Sequence, residues 1–127
     1  MTEVNLPEIL AEMEDAFAAY ERALCGNDLD ALSALFWRSP LTLRYGVEGT
    51  QYGYEAIAEF RRRRGAVDQR RALRNTKITT FGRHFAVANT EFLRTGAERV
   101  GRQSQTWVRS EGGWKIVSAH VSFEKET

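Results

Sequence analysis

The residue of this sequence best placed to do chemistry is Arg44, the one charge in the alternating stretch Leu43-Arg44-Tyr45. A guanidinium in a strand must reach solvent, an acid or a bound anion. A structural ion pair with Asp15 or Glu91 would satisfy it, and so would a bidentate clamp on a carboxylate. Tyr20 shares a helical stripe with Leu10, Met13, Phe17 and Leu24. Its ring is therefore expected to be buried, with its hydroxyl either bonded in the core or facing a cavity. Gln105 and His120 are expected as cross-strand neighbours. Inside the fold they would line a cavity, and outside they would be ordinary hydrogen-bonded side chains on the back of a sheet. The interior placement is the expectation. Trp37 and Trp107 read either as core side chains or as platforms beneath a substrate.

Other chemistries lack their residues. Cys25 stands near a helix end with neither histidine beside it in sequence, so it reads as a buried, inert thiol rather than a nucleophile. A single cysteine excludes an intramolecular disulfide, and with only His84 and His120 there is no zinc-ligand spacing. No Gly-rich phosphate loop and no Ser-Lys amidase signature are present. Neither a metal nor a cofactor is expected.

Charge points to the kind of ligand. The 127 residues carry a net charge of only +1. Residues 1 to 30 nevertheless hold eight acids and one base, whereas 31 to 109 hold fifteen bases and six acids. A cationic middle favours an anionic partner, while the near-neutral total argues against a nucleic-acid binder. The run Arg61 to Arg64 has no interleaved aromatics and reads as a solvated helix end complementing the dipole, with a phosphate patch as the alternative. Apolar runs are far shorter than the roughly 20 residues of a membrane helix, and the acidic start does not resemble a signal peptide. A cytoplasmic protein with no membrane contact is the expectation.

The elements that must position these residues follow from periodicity. A helix is predicted over about 6 to 25, begun by Pro7 and stopped by Gly26. A short second helix capped by Asn27 or Asp28 contains Leu29, Leu32, Leu35 and Phe36 and ends before Pro40. A strand over Leu41, Leu43 and Tyr45 ends at Gly46, and Gly49 marks a turn. A third helix runs from about Tyr54 to Arg64 and breaks at Gly65. Strands are predicted at about 72 to 81, 84 to 95, 99 to 110 and 113 to 123. A two-residue turn at Gly112-Gly113 would set Trp107 opposite Ser118, Gln105 opposite His120 and Gln103 opposite Ser122. The whole is one α+β domain over 1 to 127, three helices covering a curved antiparallel sheet whose open end is a ligand pocket.

The closing hairpin QSQTWVRSEGGWKIVSAHVSF, in this order of elements, resembles the NTF2-like, or SnoaL-like, superfamily. With AFAAYERAL at 16 to 24, LFW at 35 to 37, LRYG at 43 to 46, ITTFGRHFAVANTEF at 78 to 92 and GRQSQTW at 101 to 107, it is similar over nearly its whole length to the AtzH-like family. That family is also known for the oxalurate-catabolism protein HpxZ. The resemblance is weakest over 47 to 74. It implies an NTF2-like cone with three helices on a strongly curved antiparallel sheet, and a homodimer. It also implies association with amidase-type enzymes of cyanuric acid and ureide nitrogen breakdown.

The substrate so implied is a small carboxylated urea such as 1,3-dicarboxyurea, giving allophanate and carbon dioxide. An N-carboxylate loses carbon dioxide when its nitrogen gains a proton, which calls for an anion clamp and a proton donor rather than a nucleophile. Arg44 would be the clamp, Tyr20 the donor or the holder of a water, and Gln105 and His120 would position the urea. Attack by water on the same carbonyl gives the same products. A non-catalytic accessory subunit or small-anion binder is the alternative from another class. A SnoaL-like cyclase or ketosteroid-isomerase-like enzyme is a third, with Glu91 as the one strand acid available as its base.

Overall fold

The computed structural model describes residues 2–125. Helix α1, Pro7–Cys25, starts on a proline whose missing N–H costs nothing in the first turn, and it buries Ile9, Met13, Phe17, Tyr20, Ala23 and Leu24 on one side. Helix α2, Leu29–Ala34, is capped by Asp28, whose carboxylate accepts from the Ala31 N–H at 3.1 Å. It is shorter than its apolar spacing suggests, because Phe36 leaves the helix to bridge Ile116. Helix α3, Tyr54–Arg64, ends at Gly65, where φ of 70° suits glycine.

Six strands form one sheet in the order β2-β1-β6-β5-β4-β3. They are β1, Leu43–Gly46; β2, Gly49–Tyr52; β3, Arg71–Phe81; β4, Phe85–Arg94; β5, Gly101–Ser110; and β6, Gly113–Phe123. All pairs are antiparallel except β1 with β6. The predicted first strand starts two residues later than its alternation suggests and leaves Leu41 exposed. Strand β2, which turn residues alone did not announce, completes a hairpin with it.

The core lies between α1 and the concave face of the sheet. Ala86 and Ala88 on β4 are fully buried beneath the helix. Their small side chains let the aromatic stripe of α1 approach Trp107 and Ile116 closely. Among the described residues, no helix is long and apolar enough to cross a membrane.

The β5–β6 hairpin departs from expectation in two ways. Ser110 pairs with Gly113, so Glu111 and Gly112 are the central turn residues. That slides β6 by two residues and sets Trp107 opposite Ile116, which by itself keeps every side chain on its expected face. The second change does not. The register shifts between Thr106 and Trp107, because Val117 is an extra residue on β6. Beyond this bulge Gln105 faces Ala119 and Ser104 faces His120. The inward set is therefore Gln103, Gln105, Trp107, Ile116, Ala119 and Val121. His120 is exposed on the outer face, its ring 5.6 Å from that of Tyr45.

Candidate functional site: an arginine-lined concavity

At the open end of the sheet, residues far apart in the sequence close a concavity. Tyr20 and Leu24 come from α1, Phe36 follows α2, and Arg44 comes from β1. Arg61 and Arg64 arrive from α3, Arg71 from β3, Arg94 from β4, Gln103 and Gln105 from β5, and Ala119 and Val121 from β6. The enclosed part of the concavity measures about 30 Å³. That is room for a water or two or one carboxylate. A larger ligand enters only as the long side chains at the mouth draw back.

Five guanidiniums in one concavity need support, and aromatic rings supply part of it. Arg61 lies 4.4 Å above the Phe36 ring, Phe60 carries Arg44 at 4.9 Å and Arg64 at 5.0 Å, and Phe92 carries Arg71 at 4.4 Å and Arg94 at 5.7 Å. Carboxylates supply less. Arg71 is clamped by Glu21 and also donates to Gln103 Oε1 at 3.0 Å, and Arg64 reaches Glu48 at 3.8 Å. Arg44, Arg61 and Arg94 have no carboxylate within ion-pair distance among the described residues. Burial pulls the proton affinity of all three below the arginine norm. Arg61, 4% exposed, falls furthest, to about 10, with the positive fields of Arg44 and Arg64 adding to the burial. Tyr20, which lines the same concavity, acts in the opposite sense on Arg44 and Arg61.

Hydrogen bonding gives the same picture. Among the described residues, six buried side-chain polar atoms have no partner, and five of them are N–H donors on residues of this concavity: Arg61 Nη1, Arg64 Nε, Arg94 Nε, Gln103 Nε2 and Gln105 Nε2. The two amide orientations are fixed by their other ends. Gln105 Oε1 accepts from Trp107 Nε1 at 3.0 Å, and Gln103 Oε1 accepts from Arg71. Each orphaned donor costs about 1–3 kcal/mol. A ligand rich in acceptors and negative in charge removes that cost, and among the described residues no acidic side chain lines the space to repel it.

The residues expected at a site divide accordingly. Tyr20, Arg44 and Gln105 come together in the concavity. Trp107, fully buried, lies beneath it, with its ring edge-on to Tyr20 at 6.5 Å, and orients Gln105. His120 does not reach it, because the Val117 bulge turns that stretch of β6 over. Trp37 does not either: 40% exposed, it lines a groove on the outside with Asp30 and Lys115. Cys25 is half-buried, and burial followed by the nearby Glu21 carboxylate raises its pKa, as befits an inert thiol. Glu91 pairs with Arg74 and Asn75 away from the concavity, and Arg44 pairs with neither Glu91 nor Asp15.

The arginine run is split. Arg62 and Arg63 are the solvated helix end, both bonded to Glu59, whereas Arg61 and Arg64 turn inward. Their spacing of three, four residues on from buried Ile57, was a readable signal. Arg71 and Arg94 face each other directly across β3 and β4, which no local pattern reveals. Among the described residues no group of acids, histidines and cysteine could hold a metal ion.

Comparison with known proteins adds relatives whose roles are mostly open. The family model described as AtzH-like matches residues 2–127. A crystal structure of a protein with unknown function from the DUF3225 family of Pectobacterium atrosepticum SCRI1043 is 51% identical, with a TM-score of 0.93 over 96% of this chain and 95% of that one. A cystatin-like fold protein from Burkholderia xenovorans LB400 is 48% identical, with a TM-score of 0.93 over the whole of both chains. An NTF2-like superfamily protein from Salmonella enterica serovar Typhimurium is 25% identical, with a TM-score of 0.75 over 94% of each. No curated protein matches the sequence.

Proposed function

Since the chain belongs to the AtzH-like family, with the NTF2-like cone of its relatives, we propose that it takes a small N-carboxylated urea into the arginine-lined concavity and releases carbon dioxide from it. The best supporting observation is the set of donors without partners around Tyr20. In this reading Arg44 grips a carboxylate through paired N–H groups, and the free amide of Gln105 donates to the urea carbonyl. The C–N bond to the departing carboxylate breaks, its electron pair stays on nitrogen, and a proton from the Tyr20 hydroxyl or a water it holds joins that nitrogen. With 1,3-dicarboxyurea the products are allophanate and carbon dioxide. Negative charge left on the tyrosine oxygen would lie among the guanidiniums that line the same concavity, Arg44 and Arg61 among them.

The test is a carbon-13 NMR time course of freshly generated 1,3-dicarboxyurea with the protein, with Arg44→Ala and with neither. Conversion faster than the spontaneous rate, lost in the variant, is the expected result. Decay at the spontaneous rate in all three samples overturns the enzymatic reading. It would leave a non-catalytic small-anion binder serving an amidase, a reading supported by a lining of guanidinium and amide groups with no acid or histidine among the described residues. The same proposal places the protein in the cytoplasm as a homodimer built on the outer sheet face, where Tyr45, Tyr52 and His120 are accessible. Sedimentation equilibrium of the purified chain tests the dimer, and a monomer mass would overturn it.

A further inference from the structure

Arg44 is held by two residues to which the proposed reaction gives no role. Gln51 lies directly across from it in the β1–β2 pairing, is 8% exposed, and accepts from Arg44 Nη1 at 3.0 Å through Oε1. Gly46 follows Arg44 by two residues, on the same face of the strand. A Cβ on Gly46 would stand 2.3 Å from Arg44 Nη1 and 2.8 Å from Cζ. Gly46 is not among the glycines with positive φ, so its backbone does not require glycine. The guanidinium occupies the space a side chain would have filled.

The chemical character of Gln51 is the more informative half. A carboxylate at that position would hold Arg44 more firmly and would cancel its charge. An amide oxygen fixes the direction of the guanidinium and leaves the charge whole. Gln103 meets Arg71 in the same way, although Arg71 also has Glu21. Arg44 has the amide and, among the described residues, no acid.

We infer that Gly46 and Gln51 are positioning residues that seat the Arg44 guanidinium, and that a neutral acceptor at position 51 keeps this arm of the site selective for anions. The inference rests on reading the concavity as an anion site, but its stability readout does not. Oxalate serves as the probe, with affinity measured by calorimetry and Tm by thermal unfolding, on Gln51→Glu, Gln51→Leu, Gly46→Ala and Arg44→Ala.

Without oxalate, Gln51→Glu raises Tm by about 4 °C, because a buried guanidinium gains a partner, whereas Gln51→Leu lowers it. With oxalate, Gln51→Glu weakens binding by at least about tenfold and by more than Gln51→Leu does, an order that a purely structural glutamine would not produce. Gly46→Ala keeps the fold, since only the end of a flexible side chain must move, and it loses oxalate as Arg44→Ala does. A Gln51→Glu protein no more stable than the parent, or one binding oxalate as well, overturns the inference, as does full binding by Gly46→Ala. If the parent itself ignores oxalate, the anion-site reading fails, and the Tm order of the two Gln51 variants still decides whether Arg44 was held unneutralised.

Discussion

Trp107 Nε1 donates to Gln105 Oε1 at 3.0 Å, and this one bond determines which end of a buried amide faces the ligand space. With the carbonyl engaged, Gln105 offers only N–H groups to the concavity, in keeping with the guanidiniums around it.

Trp107→Phe keeps most of the aromatic packing against Tyr20 and removes that donor. The amide can then rotate and present its oxygen to an anion. Urea denaturation is expected to show a loss of about 1–3 kcal/mol, and calorimetry a weaker affinity for oxalate. Unchanged oxalate affinity would show that the amide orientation has no part in binding.

Tyr20→Phe separates binding from chemistry. The ring contacts with Phe17, Phe36 and Trp107 survive the loss of one oxygen. Turnover of 1,3-dicarboxyurea is expected to fall by about a hundredfold or more, with oxalate affinity nearly unchanged. Turnover equal to the parent's would remove the hydroxyl from the mechanism.

Arg61 carries a pH-dependent penalty whose sign follows from its environment. Burial, with Arg44 and Arg64 nearby, lowers its guanidinium from the ordinary arginine value to about 10. The unfolded chain then binds more protons than the folded one between those values. The penalty is present in full below about 10 and is relieved as pH rises through the window. At neutral pH, Arg61→Leu is therefore expected to be at least as stable as the parent, because an apolar side chain removes a desolvated charge. It should lose the rise in Tm that oxalate gives the parent. A variant that is clearly less stable would assign Arg61 to holding the fold.

Gly101→Ala tests the aromatic seat. An added Cβ would stand 2.1 Å from the Phe92 ring, which carries Arg71 and Arg94. Overpacking of this kind costs about 1–3 kcal/mol, and oxalate affinity should fall with it, since two guanidiniums lose their support. Chemical denaturation and calorimetry on the same sample read both effects.

Much of this was accessible from the order of residues alone. The 3.6-residue stripe through Phe17 and Tyr20, the caps at Pro7 and Asp28 and the breaks at Gly26 and Gly65 are local signals, and local backbone chemistry is enough to determine helices. That an arginine in a strand must find an acid, solvent or an anion was likewise visible, because the cost of burying a guanidinium does not depend on knowing its neighbours; which of these it finds was not. The family resemblance rested on motifs in α1, the segment after α2 and strands β1 and β3 to β6.

Which face each strand presents was a different matter. Parity along β6 depends on one extra residue, Val117, at the point where the strand changes neighbours. Ile116 bonds the 35–37 segment through Trp37 N–H and Leu35 C=O, and from Ser118 onward β6 pairs with β1. That switch exists only once α2 and β1 are both in place, so it leaves no periodic trace, and it sends His120 outward. The cationic ring was similarly hidden, because Arg44, Arg61, Arg71 and Arg94 are far apart in sequence and converge only when the sheet curves around α1. Side-chain identity and local period determined most of the elements and pointed to Tyr20, Arg44 and Gln105. Register and curvature, which are properties of the packed whole, decided what those residues face.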